Sequence, residues 1–121
     1  MATFMMDGKE YDLKLTYQGV THLNDTVEGG SFGLIGKALM GDIGVFANIV
    51  HAGLMHHGKN FSFNEVKEEI ADQIEKEKLD AQDIFRISNE VVTDSFFYKA
   101  QAEKLMADNP KAAEALKKLK A

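Results

Sequence analysis

The spacing of apolar residues changes at Thr16, and this change divides the chain into a short β segment and a longer helical one. Before Thr16, the residues Tyr11, Leu13 and Leu15 alternate with charged residues, which is the pattern of a half-buried strand. After Thr16, apolar residues recur at helical spacing. The sequence therefore predicts a mainly α fold of the α+β class, in which a short N-terminal β-hairpin packs on a small helical bundle.

The predicted hairpin is centred on Asp7 and Gly8, between the apolar run at residues 3–6 and the alternating run at residues 9–15. Asp-Gly favours the tight turn of a hairpin because both central positions adopt positive φ. A hairpin of two strands is only marginally stable in water. Its apolar face must therefore pack on the helices that follow.

Polar side chains at several positions predict helix N-termini, because each can accept a hydrogen bond from an unpaired backbone N–H. These positions are Thr16, Asp42, Ser62 and Asp80. The helix predicted at residues 43–56 is apolar on most of its surface, so we expect it at the centre of the domain. One last long helix is predicted to begin at Asp80 and to end at Asp108-Asn109-Pro110, where Asn109 is the predicted N-cap of a last short helix. We expect one domain over residues 1–108, followed by a short Lys-rich helix or tail over residues 109–121.

The composition excludes several classes of function. The 121-residue chain has 14 basic and 19 acidic side chains, giving a formal net charge of −5. This acidic balance argues against nucleic acid as a partner, since phosphate binding depends mostly on Lys and Arg. Cysteine is absent, which excludes disulfides, Cys-ligated metals and thiol catalysis. The most apolar run, at residues 43–55, is too short to cross a bilayer, so we expect a cytoplasmic protein with no membrane partner.

The polar residues form no recognisable catalytic or ligand-binding motif. His51 and His56 are five residues apart, whereas two metal ligands on one helix face are usually three or four apart. We therefore expect the histidines to cap, pack or lie at the surface. The sequence has neither the Gly-Lys-Ser/Thr of a phosphate-binding loop nor the Gly-x-Ser-x-Gly of a nucleophile elbow. The prediction is a protein that is not an enzyme, with no catalytic residues, no cofactor and no metal.

An excess of apolar side chains indicates a surface that binds another protein. Three aromatic residues follow one another at 96–98, and successive helical residues differ by about 100° in direction, so all three cannot face one core. Two methionine-containing pairs add adaptable apolar surface. The predicted partner-binding residues are Met5, Met6, Phe96, Phe97, Tyr98, Leu105 and Met106. We expect them to contact a second copy of the chain or a different protein; the alternative is that the bundle wraps around them from several sides.

Four segments carry a resemblance to a known family. They are residues 7–17 (Asp-Gly-Lys-Glu-Tyr-Asp-Leu-Lys-Leu-Thr-Tyr), Leu23-Asn24, Gly41-Asp42 and residues 91–98. Over about residues 4–105, the chain resembles the tail assembly chaperones of long-tailed phages that infect Gram-positive bacteria. The likeness is one of overall pattern.

The resemblance implies a chaperone in place of an enzyme. Such proteins coat the long, apolar, helix-rich tape measure protein before the tail tube polymerises around it, and they recruit tail tube subunits. We accordingly expect three kinds of partner: the tape measure protein, the tail tube protein and further copies of this chain in a homo-oligomer. We expect the protein in the cytoplasm of the infected host cell and not in the mature virion.

Two other functions stay open at this point. A small helical phage or bacterial regulator could bind DNA or protein through a pair of helices, although the clustered lysines lie in the tail and no basic recognition helix is present. A small hydrolase or metal enzyme could use His51, His56 or His57.

Overall fold

The computed structural model describes residues 2–111 and residue 114. Within this part of the chain, a hairpin of two antiparallel strands is followed by six α-helices, which confirms the predicted mainly α fold with an N-terminal hairpin. The strands are β1 (Thr3–Met6) and β2 (Lys9–Asp12). The helices are α1 (Tyr17–Thr26), α2 (Gly30–Met40), α3 (Ile43–Leu54), α4 (Phe63–Glu75), α5 (Ala81–Ser88) and α6 (Lys99–Asp108).

The hairpin turns at Asp7 and Gly8, whose φ angles of 51° and 79° confirm the predicted tight turn. Across the strands, Phe4 lies opposite Tyr11. Phe4 and Met6 point their side chains into the core, while Thr3 and Met5 are exposed. This alternation is what lets a hairpin of two strands remain stable, because its apolar face is covered by helices.

The second strand ends at Asp12, three residues earlier than the alternating pattern predicts. The N–H of Leu13 still donates to the carbonyl of Ala2 at 2.9 Å, but the N–H of Lys14 donates to the carbonyl of Gly53, on α3, at 3.1 Å. Gly53 permits this approach, since a Cβ there would lie 3.1 Å from the Cβ of Leu13. The chain thus leaves the hairpin by docking on α3.

Helix α3 is the centre of the domain, as its apolar surface predicts. Phe46, Ile49 and Val50 are fully buried, and α1, α2, α4 and α5 all pack against this helix. The ring of Phe4 meets the ring of Phe46 edge to face, with centroids 6.3 Å apart. Helix α3 is extended by one 3₁₀ turn at Met55–His57.

The N-caps predicted for helices α1, α3, α4 and α5 are confirmed. Each of these side chains accepts a hydrogen bond from a backbone N–H in the first turn of its helix: Thr16, Asp42, Ser62 and Asp80. In α4, Ser62 and Glu65 exchange reciprocal bonds of 3.0 Å, which is a complete capping box. The buried face of α4 is narrow, with Val66 and Ile70 in the core, and the rest of its surface is largely acidic and exposed.

The prediction of one unbroken final helix is wrong. Helix α5 gives way to a π-helical segment at Asn89–Thr93, and α6 begins only at Lys99. In the π-helical segment, the N–H of Asp94 donates to the carbonyl of Asn89 at 2.9 Å, five residues back instead of four. Residues 94–98 then form a turn, so the three consecutive aromatic residues lie in this turn and not on a helix.

A buried group of hydrogen bonds accounts for the break; we call it the Asn89 network. The side-chain amide of Asn89 donates to the carbonyls of Ala38 and Phe85, at 2.9 and 2.8 Å. The side-chain oxygen of Asn89 accepts from the hydroxyl of Thr93 at 2.9 Å. Such side-chain bonds compete with regular helical pairing. The bond to Ala38 also ties the π-helical segment to α2.

The predicted tail at residues 109–121 lies mostly outside the described residues, which include only 109–111 and 114 of it. Among the residues that the structure describes, no single helix is long and apolar enough to cross a membrane. The pair formed by Gly30–Met40 and Ile43–His57 reaches that length and composition only when taken together, and it is bent by 110°.

Candidate partner-binding groove

An open apolar groove lies between the start of α1 and the turn that follows the π-helical segment. One wall is formed by residues 13–21 and the other by residues 90–98. Its apolar lining consists of Ala2, Leu13, Leu15, Tyr17, Val20, Val91, Phe96, Phe97 and Tyr98. The volume of about 940 Å³ matches roughly two turns of an α-helix, since a helix about 10 Å across rises about 5.4 Å per turn.

The aromatic turn supplies the most exposed apolar surface of the groove. Phe96 is 100% exposed and Phe97 is 60% exposed, whereas Tyr98 is only 1% exposed. The rings of Phe97 and Tyr98 meet edge to face with centroids 4.9 Å apart, so the buried Tyr98 supports Phe97 from below. Burial also raises the pKa of the Tyr98 hydroxyl above its ordinary value, because desolvation disfavours the phenolate.

The expectation that these three aromatic residues cannot all face the core agrees with their exposure, but the reason is different. Their directions diverge because they occupy a turn, whereas the sequence predicted a helix. The turn is closed by Ser95, whose hydroxyl donates to the carbonyl of Val92 at 2.6 Å. The same hydroxyl accepts from the N–H of Tyr98 at 3.4 Å, so Ser95 holds the aromatic residues in place.

The other predicted partner-binding residues do not line the groove. Met6 is part of the buried core, while its neighbour Met5 is exposed on the opposite face of β1. Leu105 and Met106, on α6, are half-buried, and Leu105 packs against the core.

Tyr17 is the groove residue that the sequence pattern misses. It occupies the first position of an apolar stripe whose later members, Leu23 and Val27, are buried. Tyr17 itself is 86% exposed and stands at the edge of the groove, opposite the aromatic turn. The apolar stripe of α1 therefore continues from the core into the groove. The spacing of the stripe does not distinguish its buried residues from Tyr17, because the difference depends on where the start of α1 lies in the folded domain.

A few charged residues border the apolar surface. Lys14, just before α1, and Asp25, near the end of α1, lie on one side of the groove, and Glu90 lies on the opposite wall. Arg86 approaches Glu90 at 3.6 Å, one helical turn away. These groups give the groove a polar edge, as in many sites that combine apolar lining with a few polar contacts.

A second cluster brings together residues that are far apart in the sequence: Asp12, His56 and His57. Nε2 of His56 lies 3.1 Å from one carboxylate oxygen of Asp12, and Nε2 of His57 lies 3.2 Å from the other. Nε2 of His57 also lies 2.8 Å from the backbone carbonyl of Asp12. The hydrogen bond from His56 lowers the pKa of the Asp12 carboxyl, with the charges of the histidines adding to the effect.

The remaining histidines form a separate pair. The rings of His22 and His51 meet edge to face with centroids 5.1 Å apart, and Nε2 of His51 donates to the carbonyl of Phe61 at 3.0 Å. This agrees with the expected packing role for His51. His56 and His57, by contrast, lie beside Asp12, and helical spacing alone cannot reveal a partner that comes from a strand.

The fold and the groove define a small helical domain with an exposed apolar groove. The sequence profile of the family described as "Phage tail assembly chaperone protein, TAC" matches residues 3–106. Because this match covers most of the chain, the protein belongs to that family, as its resemblance predicts. This family has a chaperone role and is not a known enzyme family. No curated protein and no solved structure matches the chain.

Proposed function

We propose that this chaperone binds an apolar helical segment of the tape measure protein in its groove and keeps that protein soluble until the tail tube forms. The observation that carries the proposal is the exposure of Tyr17, Phe96 and Phe97 around one groove. Large aromatic side chains at a surface cost solubility unless a partner covers them. A groove that accommodates roughly two helical turns suits an amphipathic helix laid along it.

The expected affinity of one copy is low. Burying one exposed Phe or Tyr side chain contributes about 2 kcal/mol, so the three aromatic residues contribute about 6 kcal/mol together. Association costs at least about 4 kcal/mol in lost translational and rotational freedom. Many copies bound side by side along a long polypeptide would gain avidity from multivalency. Weak individual contacts also let the tail tube protein displace the chaperone.

The charge of the protein supports a solubilising role. Its formal net charge is −5, and the exposed surface of α4 carries acidic residues such as Glu65, Glu68 and Glu75. A coat of such copies would give an apolar polypeptide a charged exterior, and like charge keeps particles dispersed. In this proposal the groove binds the apolar polypeptide, and the exposed surface of α4 keeps the complex soluble.

The proposal includes contacts with other proteins of tail assembly. Met40 and Ile43 are exposed at the turn between α2 and α3, and neither lines the groove. This second apolar surface suits a neighbouring copy in a homo-oligomer or a recruited tail tube subunit. The protein would act in the cytoplasm of the infected cell and would be absent from the finished virion.

Co-expression with a tape measure fragment tests the proposal. We expect the wild-type chain to keep the fragment in the soluble fraction and to elute with it on size exclusion. Phe97→Ser removes the binding free energy gained by burying the ring, about 2 kcal/mol, and should therefore weaken binding about 30-fold. A fragment that precipitates equally with and without the wild-type chain would contradict the proposal.

Phe32→Ser is the matched control. Phe32 is 61% exposed, almost the same as Phe97 at 60%, but it does not line the groove. Both variants remove the same ring from a similarly exposed position. Equal loss of binding in the two variants would show that general surface hydrophobicity, and not the groove, is responsible.

A further inference from the structure

We propose that Asp12, His56 and His57 form a binding site for a divalent transition metal ion, of which Zn²⁺ fits best. The ion would join the end of β2 to the 3₁₀ turn that follows α3. This site lies apart from the groove, since none of its residues is among the groove lining. The inference therefore does not depend on the proposed function.

The ligand atoms are already close to the spacing that a metal ion requires. The two imidazole nitrogens lie 3.1 and 3.2 Å from the carboxylate oxygens, and one ligand atom from each residue lies within 4.8 Å of the others. Zn²⁺ forms bonds of about 2.0–2.2 Å to nitrogen and oxygen, which places neighbouring ligands about 3.3 Å apart in a tetrahedron. To surround an ion, ligand atoms up to 4.8 Å apart would have to approach one another by as much as about 1.5 Å.

The donor set selects the class of metal. Two imidazoles and one carboxylate suit Zn²⁺ and its neighbours in the first transition row, whereas Ca²⁺ and Mg²⁺ prefer oxygen ligands alone. The side chains are partly open to solvent, with Asp12 41%, His56 20% and His57 21% exposed. An ion can therefore reach the site, and water can occupy a fourth coordination position.

The protons of the two rings must move when a metal ion binds. The N–H at Nε2 of His57 donates to the backbone carbonyl of Asp12, and the N–H at Nε2 of His56 donates to the carboxylate. On binding, each Nε2 becomes a ligand and each neutral ring carries its proton on Nδ1. Within the described residues, Nδ1 of His56 is buried without a hydrogen-bond partner. We therefore expect an affinity roughly 10–100-fold weaker than that of a site whose rings have such acceptors.

Zinc titration of the full chain, prepared without a histidine tag and stripped with a chelator, tests the site. We expect calorimetry to show one ion bound per chain. At about 100 times the dissociation constant, Zn²⁺ should raise Tm by about 11 °C, because the ion stabilises only the folded state. No binding up to about 1 mM Zn²⁺ would overturn the proposal, because a site weaker than this contributes little free energy.

Variants then locate the site. We expect His56→Gln and His57→Gln each to abolish the rise in Tm, while His22→Gln, in the separate histidine pair, retains it. If either cluster variant fails to fold, Co²⁺ titration of the wild-type protein gives an independent readout, since nitrogen and oxygen ligands at a tetrahedral site give it visible absorption. An unchanged rise in both cluster variants, or a Co²⁺ spectrum identical to that of the aqueous ion, would refute the assignment.

Discussion

Replacing Asn89 by Ala should destabilise the protein more than most single substitutions, because it removes the Asn89 network from a buried site. The amide of Asn89 makes two hydrogen bonds, to the carbonyls of Ala38 and Phe85. Its oxygen accepts one more, from the hydroxyl of Thr93. The variant would therefore lose three bonds that hold the π-helical segment against α5 and α2.

The magnitude follows from what the substitution leaves behind. Ala38 and Phe85 each keep a second donor, since their carbonyls also accept from the backbone N–H groups of Gly41 and Asn89. No buried carbonyl is then orphaned, and each lost bond costs only its net value of about 1 kcal/mol. The expected loss is about 3 kcal/mol. For a chain of this length, 1 kcal/mol corresponds to about 4 °C, so Tm should fall by about 12 °C.

Urea unfolding followed by helical circular dichroism measures this loss. Thr93→Val offers a comparison at the same network, because it leaves the side-chain oxygen of Asn89 buried without a donor and should cost about 1–3 kcal/mol. The double variant should lose less than the sum of the single variants, since both remove the same bond. A loss below about 1 kcal/mol for Asn89→Ala, with an unchanged m-value, would refute this account.

Other substitutions test further parts of the structure. Gly33→Ala should lower the urea midpoint, because a Cβ would overlap the backbone carbonyl of Glu28, whereas Gly36→Ala on the same helix meets no atom within 4 Å and should stabilise by up to about 1 kcal/mol. Phe97→Ser should change the free energy of unfolding by less than about 1 kcal/mol, since its ring is mostly exposed; a larger loss would assign it to the core. Burial lowers the pKa of His22 below its ordinary value of 6.5. As the pH falls through 6.5, the unfolded chain therefore binds more protons at this residue than the folded chain does, and the free energy of unfolding decreases. His22→Gln should show a smaller fall in Tm between about pH 7.5 and pH 5.5; an equal fall in both proteins would exclude His22 as the cause.

Local signals in the sequence predict much of this fold. Asp7-Gly8 determines the hairpin turn through its backbone preferences, and Ser62 with Glu65 marks the start of α4 through bonds between near neighbours. Both features depend on residues a few positions apart. The break at Asn89–Thr93 is different, because the apolar spacing continues across it and the decisive bond reaches Ala38 on another helix.

The two candidate sites depend on the same long-range information. The aromatic residues of the groove are visible in the sequence, but Tyr17 joins them only because the start of α1 faces their turn. In the sequence, Asp12 is one of several charged residues of an alternating strand. Its sequence neighbours do not indicate that His56 and His57 lie beside it in the fold. Sequence periodicity identifies the face of an element, whereas tertiary packing decides what that face meets.

The π-helical segment has a consequence for how this groove can vary. Its hydrogen bonds span five residues and those of an α-helix span four, so a segment shortened by one residue closes as an ordinary α-helical turn and leaves the residues on either side in nearly the same directions. Phe96 and Phe97 would then keep their place opposite Tyr17. A deletion in the regular helix α5 has no such compensation and would rotate everything after it by about 100°. Lineages of this fold can therefore change length at Asn89–Thr93 with less effect on the groove than at α5, provided that the bonds made by Asn89 and Thr93 are kept or replaced.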